Sequence, residues 1–171
     1  MSIASLLCLA LVAAAPAAPK EAAKEAARDE PRAAISAVLD DWHKAAGAAD
    51  EARYFGHFTA DAVFMGTDAT ERWTRDEFRA WARPFFARGK AWSFRAVSRS
   101  VSLSREGTVA WFDEALDTPN MGPCRGSGVL VKEGGAWKIA QYNLSVPIPN
   151  DLMDDFKKRI EAHAKKRAPK R

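Results

Sequence analysis

Cysteine is almost missing from this chain. Of its 171 residues only Cys8 and Cys124 are cysteines. Cys8 lies in an apolar leader expected to be removed, which leaves Cys124 without an intrachain partner. A disulfide framework and a thiolate zinc cluster are thereby excluded. Histidine is nearly as scarce. His43, His57 and His163 fall in no metal-ligand spacing, and neither an H-E-x-x-H pattern nor a facial triad occurs, so no metal and no cofactor is expected. His57, beside Phe58, reads as a satisfied helix-end histidine, whereas His43 lies one step round from the buried stripe of its helix and is expected at the surface. The body also lacks a basic surplus. The net charge is +4, but from Lys157 to Arg171 eight Lys/Arg face the single acid Glu161, so the tail carries +7 and the remainder −3. A slightly acidic body gives no electrostatic footprint for specific nucleic-acid binding.

A long apolar run is absent too. Ile3 to Ala15 is uncharged, apolar and followed by small residues, the pattern of a secretory h-region, and it is too short for a stable membrane anchor. Residues 1–18 are therefore expected to be a signal peptide, and the mature chain to be secreted or periplasmic without a transmembrane anchor. Residues 19–30, rich in Ala, Glu and Lys, form a linker without an apolar face. Residues 31–150 are one domain of roughly 120 residues, a size that buries a real core. Residues 151–171 are a final helix and a basic tail.

What is present is aromatic bulk: six Trp, nine Phe and two Tyr. Ile35, Val38, Leu39, Trp42 and Ala46 recur at helical spacing and put Trp42 on a buried stripe. Gly47 ends that helix, and Asp50 caps a second, whose Tyr54, Phe55 and Phe58 face inward. An apolar strand, Ala62 to Met65, breaks at a Gly-Thr-Asp turn. Thr74 and Glu77 form a capping box that starts a third helix, with Phe78, Trp81, Ala82 and Phe85 on one face and Pro84 kinking or ending it. Ala91 to Val146 reads as antiparallel sheet. Trp92 and Phe94 change parity against Val97, Val101 and Leu103, which implies a bulge. Hairpin turns fall at Arg105–Gly107 and Glu133–Gly135. Asn150 then caps a last helix with Leu152, Phe156, Ile160 and His163.

Three helices followed by a long meander predict an α+β cone, a curved antiparallel sheet wrapped around the helices with a pocket between. DAVFMGTDATERW (residues 61–73), the helix opened by TRDEF, VAWFDEAL, RGSGVLVKEGGAWKI and QYNLSVPIPN resemble, in order and spacing, the SnoaL-like branch of the nuclear transport factor 2-like superfamily, from about Ile35 to Asn150. The resemblance implies that cone fold. It leaves function open, because the superfamily holds isomerases, dehydratases, cyclases and assembly modules. Matched to the ketosteroid isomerases, Gly66 stands where they carry the carboxylate base, Trp42 where they carry the oxyanion tyrosine, and no acid stands near Ser127. A proton shuttle needs a group that takes and returns a proton, so steroid isomerisation of that type is not expected.

Several polar residues are candidates. Glu114 interrupts the apolar face Ala110–Phe112–Leu116 of its strand. It is either a general acid or base in the pocket or a carboxylate paired with Arg95 or Arg125. Asp68 and Glu71 flank the turn after Thr67, as a carboxylate pair at the pocket mouth or as turn capping and surface charge. Arg125 is a clamp for a substrate carboxylate or a cross-strand partner. With Trp42, Phe64, Phe112 and Tyr142 these make the expected site: Glu114 and Asp68 catalytic, and Trp42, Phe64, Thr67, Glu71, Phe112, Arg125 and Tyr142 lining it. Gly126 and Gly128 precede no helix and are read as permitting strand bending or close backbone approach. The expected partners are a small, largely apolar ligand, handled by carboxylate acid–base chemistry, and a second copy of the chain. A non-catalytic dimeric interaction module is the alternative.

Overall fold

The computed structural model describes residues 28–167. The expected signal segment and most of the linker lie outside them. Helix α1 spans Asp29–Gly47, with Asp29 and Glu30 in its first turn, where carboxylates complement the exposed N–H groups. Its buried stripe, Ile35, Leu39, Trp42 and Ala46, follows the sequence pattern. One member was not expected. His43 is buried as well, at 8% exposure. The surface position read from the helical pattern is wrong because His43 turns inward to a buried Glu114 on the sheet at 2.8 Å and its ring lies 6.0 Å from that of Phe94, so the buried sector is wider than one stripe.

Helix α2, Glu51–Gly56, is capped by Asp50, whose side chain accepts from the Arg53 N–H at 3.0 Å. The two helices are tied by Asp41, which accepts from Arg53 Nε at 2.9 Å and meets His57 Nε2 at 2.9 Å. His57 is thus the satisfied helix-end residue expected. Strand β1 runs Phe58–Met65, longer than the apolar core of the motif suggested, and β2 is the short Arg72–Thr74. Thr74 and Glu77 form the capping box that opens α3, Arg75–Ala87. Pro84 neither ends nor breaks that helix, which runs three residues beyond it.

The remaining strands are β3 (Arg95–Leu103), β4 (Val109–Thr118), β5 (Gly122–Glu133) and β6 (Ala136–Ser145). Residues 91–94 stay outside the sheet, although Trp92 and Phe94 read as its beginning. The expected bulge is present, as a register shift between Ala96 and Ser98 that leaves Val97 outside the pairing and exposed. The sheet order is β2-β1-β6-β5-β4-β3. All neighbours are antiparallel except β1 and β6, which run parallel, so the sheet is mixed where the sequence suggested only a meander. The α+β cone holds: α1 to α3 lie against the concave face, and β4 alternates buried Ala110, Phe112, Glu114 and Leu116 with exposed Trp111, Asp113 and Asp117. A 3₁₀ turn, Asn150–Leu152, leads into α4, Met153–Arg167, whose Phe156 and Ile160 remain exposed. No described helix is long and apolar enough to cross a membrane.

Candidate functional site

A hollow of about 190 Å³ opens at the cone mouth. Its walls come from β1 and the turn after it (Phe64, Gly66, Thr67, Glu71), from β2 and α3 (Trp73, Phe78, Trp81), and from Trp92, Phe94, Met121 and Leu144. The aromatic rings form a run of stacks. Phe64 lies 3.8 Å from Phe78, Phe78 5.6 Å from Trp73, and Trp73 5.2 Å from Trp81, all within 24° of parallel. The capping box sets this up, because it fixes the start of α3 and hence the side on which Phe78 and Trp81 emerge.

Glu71 is the carboxylate of this hollow. The turn that follows β1 returns its backbone to Gly66, whose N–H donates to the Glu71 carbonyl at 2.9 Å. The Glu71 side chain folds over Gly66, with Oε2 inside the space a Cβ there would take, and accepts from the Asp68 N–H at 3.1 Å. A glycine at 66 is therefore required by the carboxylate lying on it. Asp68 itself closes the turn, accepting from the Thr70 N–H at 2.9 Å and from its hydroxyl at 2.7 Å. That is the turn-capping role the sequence allowed for it.

Of the expected site residues, Phe64, Thr67 and Glu71 meet in the hollow. Trp42, Phe112, Tyr142 and Glu114 lie behind it in a filled interior, where Trp42 packs edge-on to Tyr142 at 4.6 Å and stacks on Tyr54 at 5.1 Å. Arg125 is exposed on β5, next to Ser145 on β6, away from both. In the filled region Trp42 Nε1, Tyr54 OH and Tyr142 OH are buried without a hydrogen bond to any described residue. Burial pushes both phenols well above their usual range, and for Tyr142 the neighbouring Glu114 carboxylate adds to the rise.

Glu114 is 1% exposed and fully engaged. Its Oε1 lies 2.8 Å from His43 Nε2, and its Oε2 accepts from Arg99 Nε at 2.9 Å with Nη2 at 2.8 Å. Arg99 is held in turn by the Ser36 carbonyl at 3.0 Å and by Asp40 at 2.9 Å. The partner is thus Arg99, directly opposite Glu114 in the β3–β4 register, and neither Arg95 nor Arg125; Arg95 pairs with Asp117 at 2.9 Å. The sequence did carry a signal: 99 and 114 both sit on the inward parity of their strands once the bulge at Val97 is counted. A second cleft of about 330 Å³ lies between α1 and residues 93–96, lined by Asp40, His43, Lys44, Gly47, Ser93, Phe94, Arg95 and Ala96. Sequence reasoning named none of these as site residues. Among the described residues no cluster of His, Cys, Asp and Glu could hold a metal ion, and Cys124 is a free, buried thiol whose ionisation burial disfavours.

The comparisons agree with this geometry. Residues 35–149 match the profile of the SnoaL-like domain. No curated protein matches the sequence. Among solved structures, a nuclear transport factor 2-like protein of unknown function from Pseudomonas putida KT2440 superposes with a TM-score of 0.60 at 16% identity, over 75% of this chain and 92% of that one. A scytalone dehydratase candidate from Novosphingobium aromaticivorans DSM 12444 gives 0.57 at 15% identity, over 68% and 84%. A ketosteroid isomerase candidate from Parabacteroides distasonis ATCC 8503 gives 0.54 at 15%, over 67% and 86%. At such identities these likenesses establish the fold and not the chemistry. With the profile covering its whole α+β core, the chain belongs to the SnoaL-like domain family, within the nuclear transport factor 2-like fold.

Proposed function

We propose that this is an exported SnoaL-like protein that binds a small, flat, largely apolar molecule at the cone mouth and presents Glu71 to it as an acid–base group. The chemistry that fits is a cofactor-independent isomerisation, elimination or hydrolysis, in which one carboxylate accepts and returns a proton. The observation that carries this reading is the Glu71 carboxylate folded over Gly66 inside an aromatic-walled hollow. The backbone leaves that space free, and the only carboxylate among the lining residues fills it. Glu114, by contrast, has both oxygens committed to His43 and Arg99 and lies outside the hollow. Its role here is to hold β4 to β3 and α1. Asp68 shapes the turn that delivers Glu71.

The test uses the tryptophans that line the hollow. Titration with 2-naphthol quenches their fluorescence saturably, and Trp81→Ala weakens the apparent affinity about fivefold to twentyfold, the loss of one stacking wall. Quenching that stays linear in concentration, or that Trp81→Ala leaves unchanged, overturns the binding site. Against a turned-over substrate, Glu71→Gln lowers kcat by about two to four orders of magnitude, with KM little moved.

A second reading, a dimeric interaction module, rests on the outer sheet face. There Trp111 is 51% exposed, and Val109 on the same strand is 36% exposed. Large apolar side chains grouped on a solvent face point to a covered surface. A homodimer through the sheet is compatible with ligand binding on the opposite, concave side.

A further inference from the structure

We infer that the cleft between α1 and residues 93–96 is a second binding site, which takes a small carboxylic acid through His43. His43 is more than nine-tenths buried, yet it lines this cleft. Its Nε2 is bound to Glu114, and its Nδ1 makes no hydrogen bond to any described residue. With the Glu114 carboxylate accepting from Nε2–H and orienting the ring, Nδ1 is left as the acceptor open to the cleft. Glu114 is itself clamped by Arg99, so the imidazole cannot swing away without breaking its buried bond to a fixed carboxylate. Glu114 is a positioning residue here, and His43 is the contact.

The charges around the cleft select the ligand. Asp40, Glu114 and Asp117 are answered by Arg99, Lys44 and Arg95, and two of the three cations are already in ion pairs: Arg99 with Asp40 and Glu114, Arg95 with Asp117. Lys44, exposed on the cleft rim, has no ion pair among the described residues. The C-terminal carbonyls of α1 do not oppose an anion strongly, because Ala48 N–H donates to Lys44 O at 2.9 Å and Asp50 N–H to Ala45 O at 2.9 Å. The groups therefore balance while His43 is neutral. A carboxylate anion enters with one proton from solvent, which Nδ1 takes up, and the carboxylate is held between the imidazolium and Lys44. No net charge is added to the cleft. The charged and titratable groups that face His43 are Glu114, Asp40, Lys44, Arg95 and, through Glu114, Arg99. Phe94 and Ala96 supply an apolar wall for a short aliphatic chain. This site is independent of the mouth hollow, with which it shares only Phe94.

The experiment is a propionate titration of the full chain with ¹⁵N-labelled histidine, followed by ring ¹⁵N resonances. Propionate carries no aromatic ring and so avoids the stacked mouth. The expected result is a saturable shift of His43 Nδ1 from the lone-pair toward the protonated range, with His57 and His163 unmoved. Lys44→Ala, an exposed change, weakens the dissociation constant about threefold to fivefold, the size of a partly solvated ion pair. His43→Gln keeps an amide donor for Glu114 but has no Nδ1, and it abolishes the saturable response of the amides of Ser93 and Lys44. If His43→Gln does not fold, the wild-type ring shift and Lys44→Ala decide alone. A shift that is linear to the highest concentration, that saturates with Nδ1 unprotonated, or that Lys44→Ala leaves unchanged overturns the inference.

Discussion

At the scale of single residues the molecule is governed by what fills the space above two glycines. Over Gly126 stand Tyr142 OH and Glu114 Oε1, both within 3 Å of where a Cβ would lie. Gly126→Ala must push a buried phenol or a clamped carboxylate aside, and it should cost about 1–3 kcal/mol in denaturant unfolding. Over Gly66 stands the Glu71 side chain, its carboxylate end in the Cβ space and its own Cβ 3.1 Å away, so Gly66→Ala should cost less stability than Gly126→Ala and displace the carboxylate from the hollow. Equal losses at both positions would contradict this distinction. Glu114→Ala leaves the Arg99 guanidinium buried without its main partner, and the expected loss is about 3–5 kcal/mol. A loss near zero would mean that the network is solvated. Strand bending or close approach was legible in the glycine pair inside a strand; at Gly128 the Gln141 carbonyl comes near, whereas at Gly126 side chains do. What approaches was not legible, because Tyr142 and Glu114 reach Gly126 from two other strands.

At the scale of elements, α1 and α2 are joined by ionisable groups, and their junction should respond to acid. Arg53, bonded to Asp41, holds that carboxyl down at about 2, against an ordinary 3.8. A depressed carboxyl contributes stability above its unfolded value and loses it as pH falls through the folded one, here between about 3.8 and 2. Burial lowers His57, outweighing the pull of Asp41. Its neutral form is therefore favoured in the fold, and its contribution too is present above its unfolded value and lost on acidification. Denaturation midpoints should accordingly fall as pH drops, and Asp41→Asn should flatten the decline below about 4. An unchanged decline would remove Asp41 as its source. The link between the helices also holds strain: Ala49 has φ 54°, the left-handed region, two residues after Gly47. Ala49→Gly should add about 0.5–1 kcal/mol of stability by thermal or denaturant unfolding. The helix end was readable at Gly47, but its left-handed residue was not, because Asp50 fixes the register by capping α2.

At the scale of the whole molecule, the two faces of the sheet answer different questions. The concave face supports the helices and the mouth hollow. The outer face exposes Trp111. If that face is a dimer seam, the wild-type chain is a dimer by light scattering at micromolar concentration, and Trp111→Arg yields a folded monomer with quenching by 2-naphthol unchanged. A wild-type monomer would leave the exposed Trp111 unexplained and remove the seam.

Taken by itself, the sequence determined the periodicities. The stripe of α1, the capping box of α3, the alternation of β4 and the bulge in β3 are local patterns of spacing, and spacing survives in a linear text. With the quoted motifs, these were enough for the cone and the family. Only the tertiary structure decided which polar groups meet. Arg99 finds Glu114 across β3 and β4, His43 reaches the same carboxylate from α1, and Glu71 folds onto Gly66. Each pairing depends on strand register and on the angle at which a helix lies on the sheet. Those quantities are set by how the aromatic interior packs; the inward parity of Arg99 and of Glu114 is marked along each strand, but the register that joins them is not.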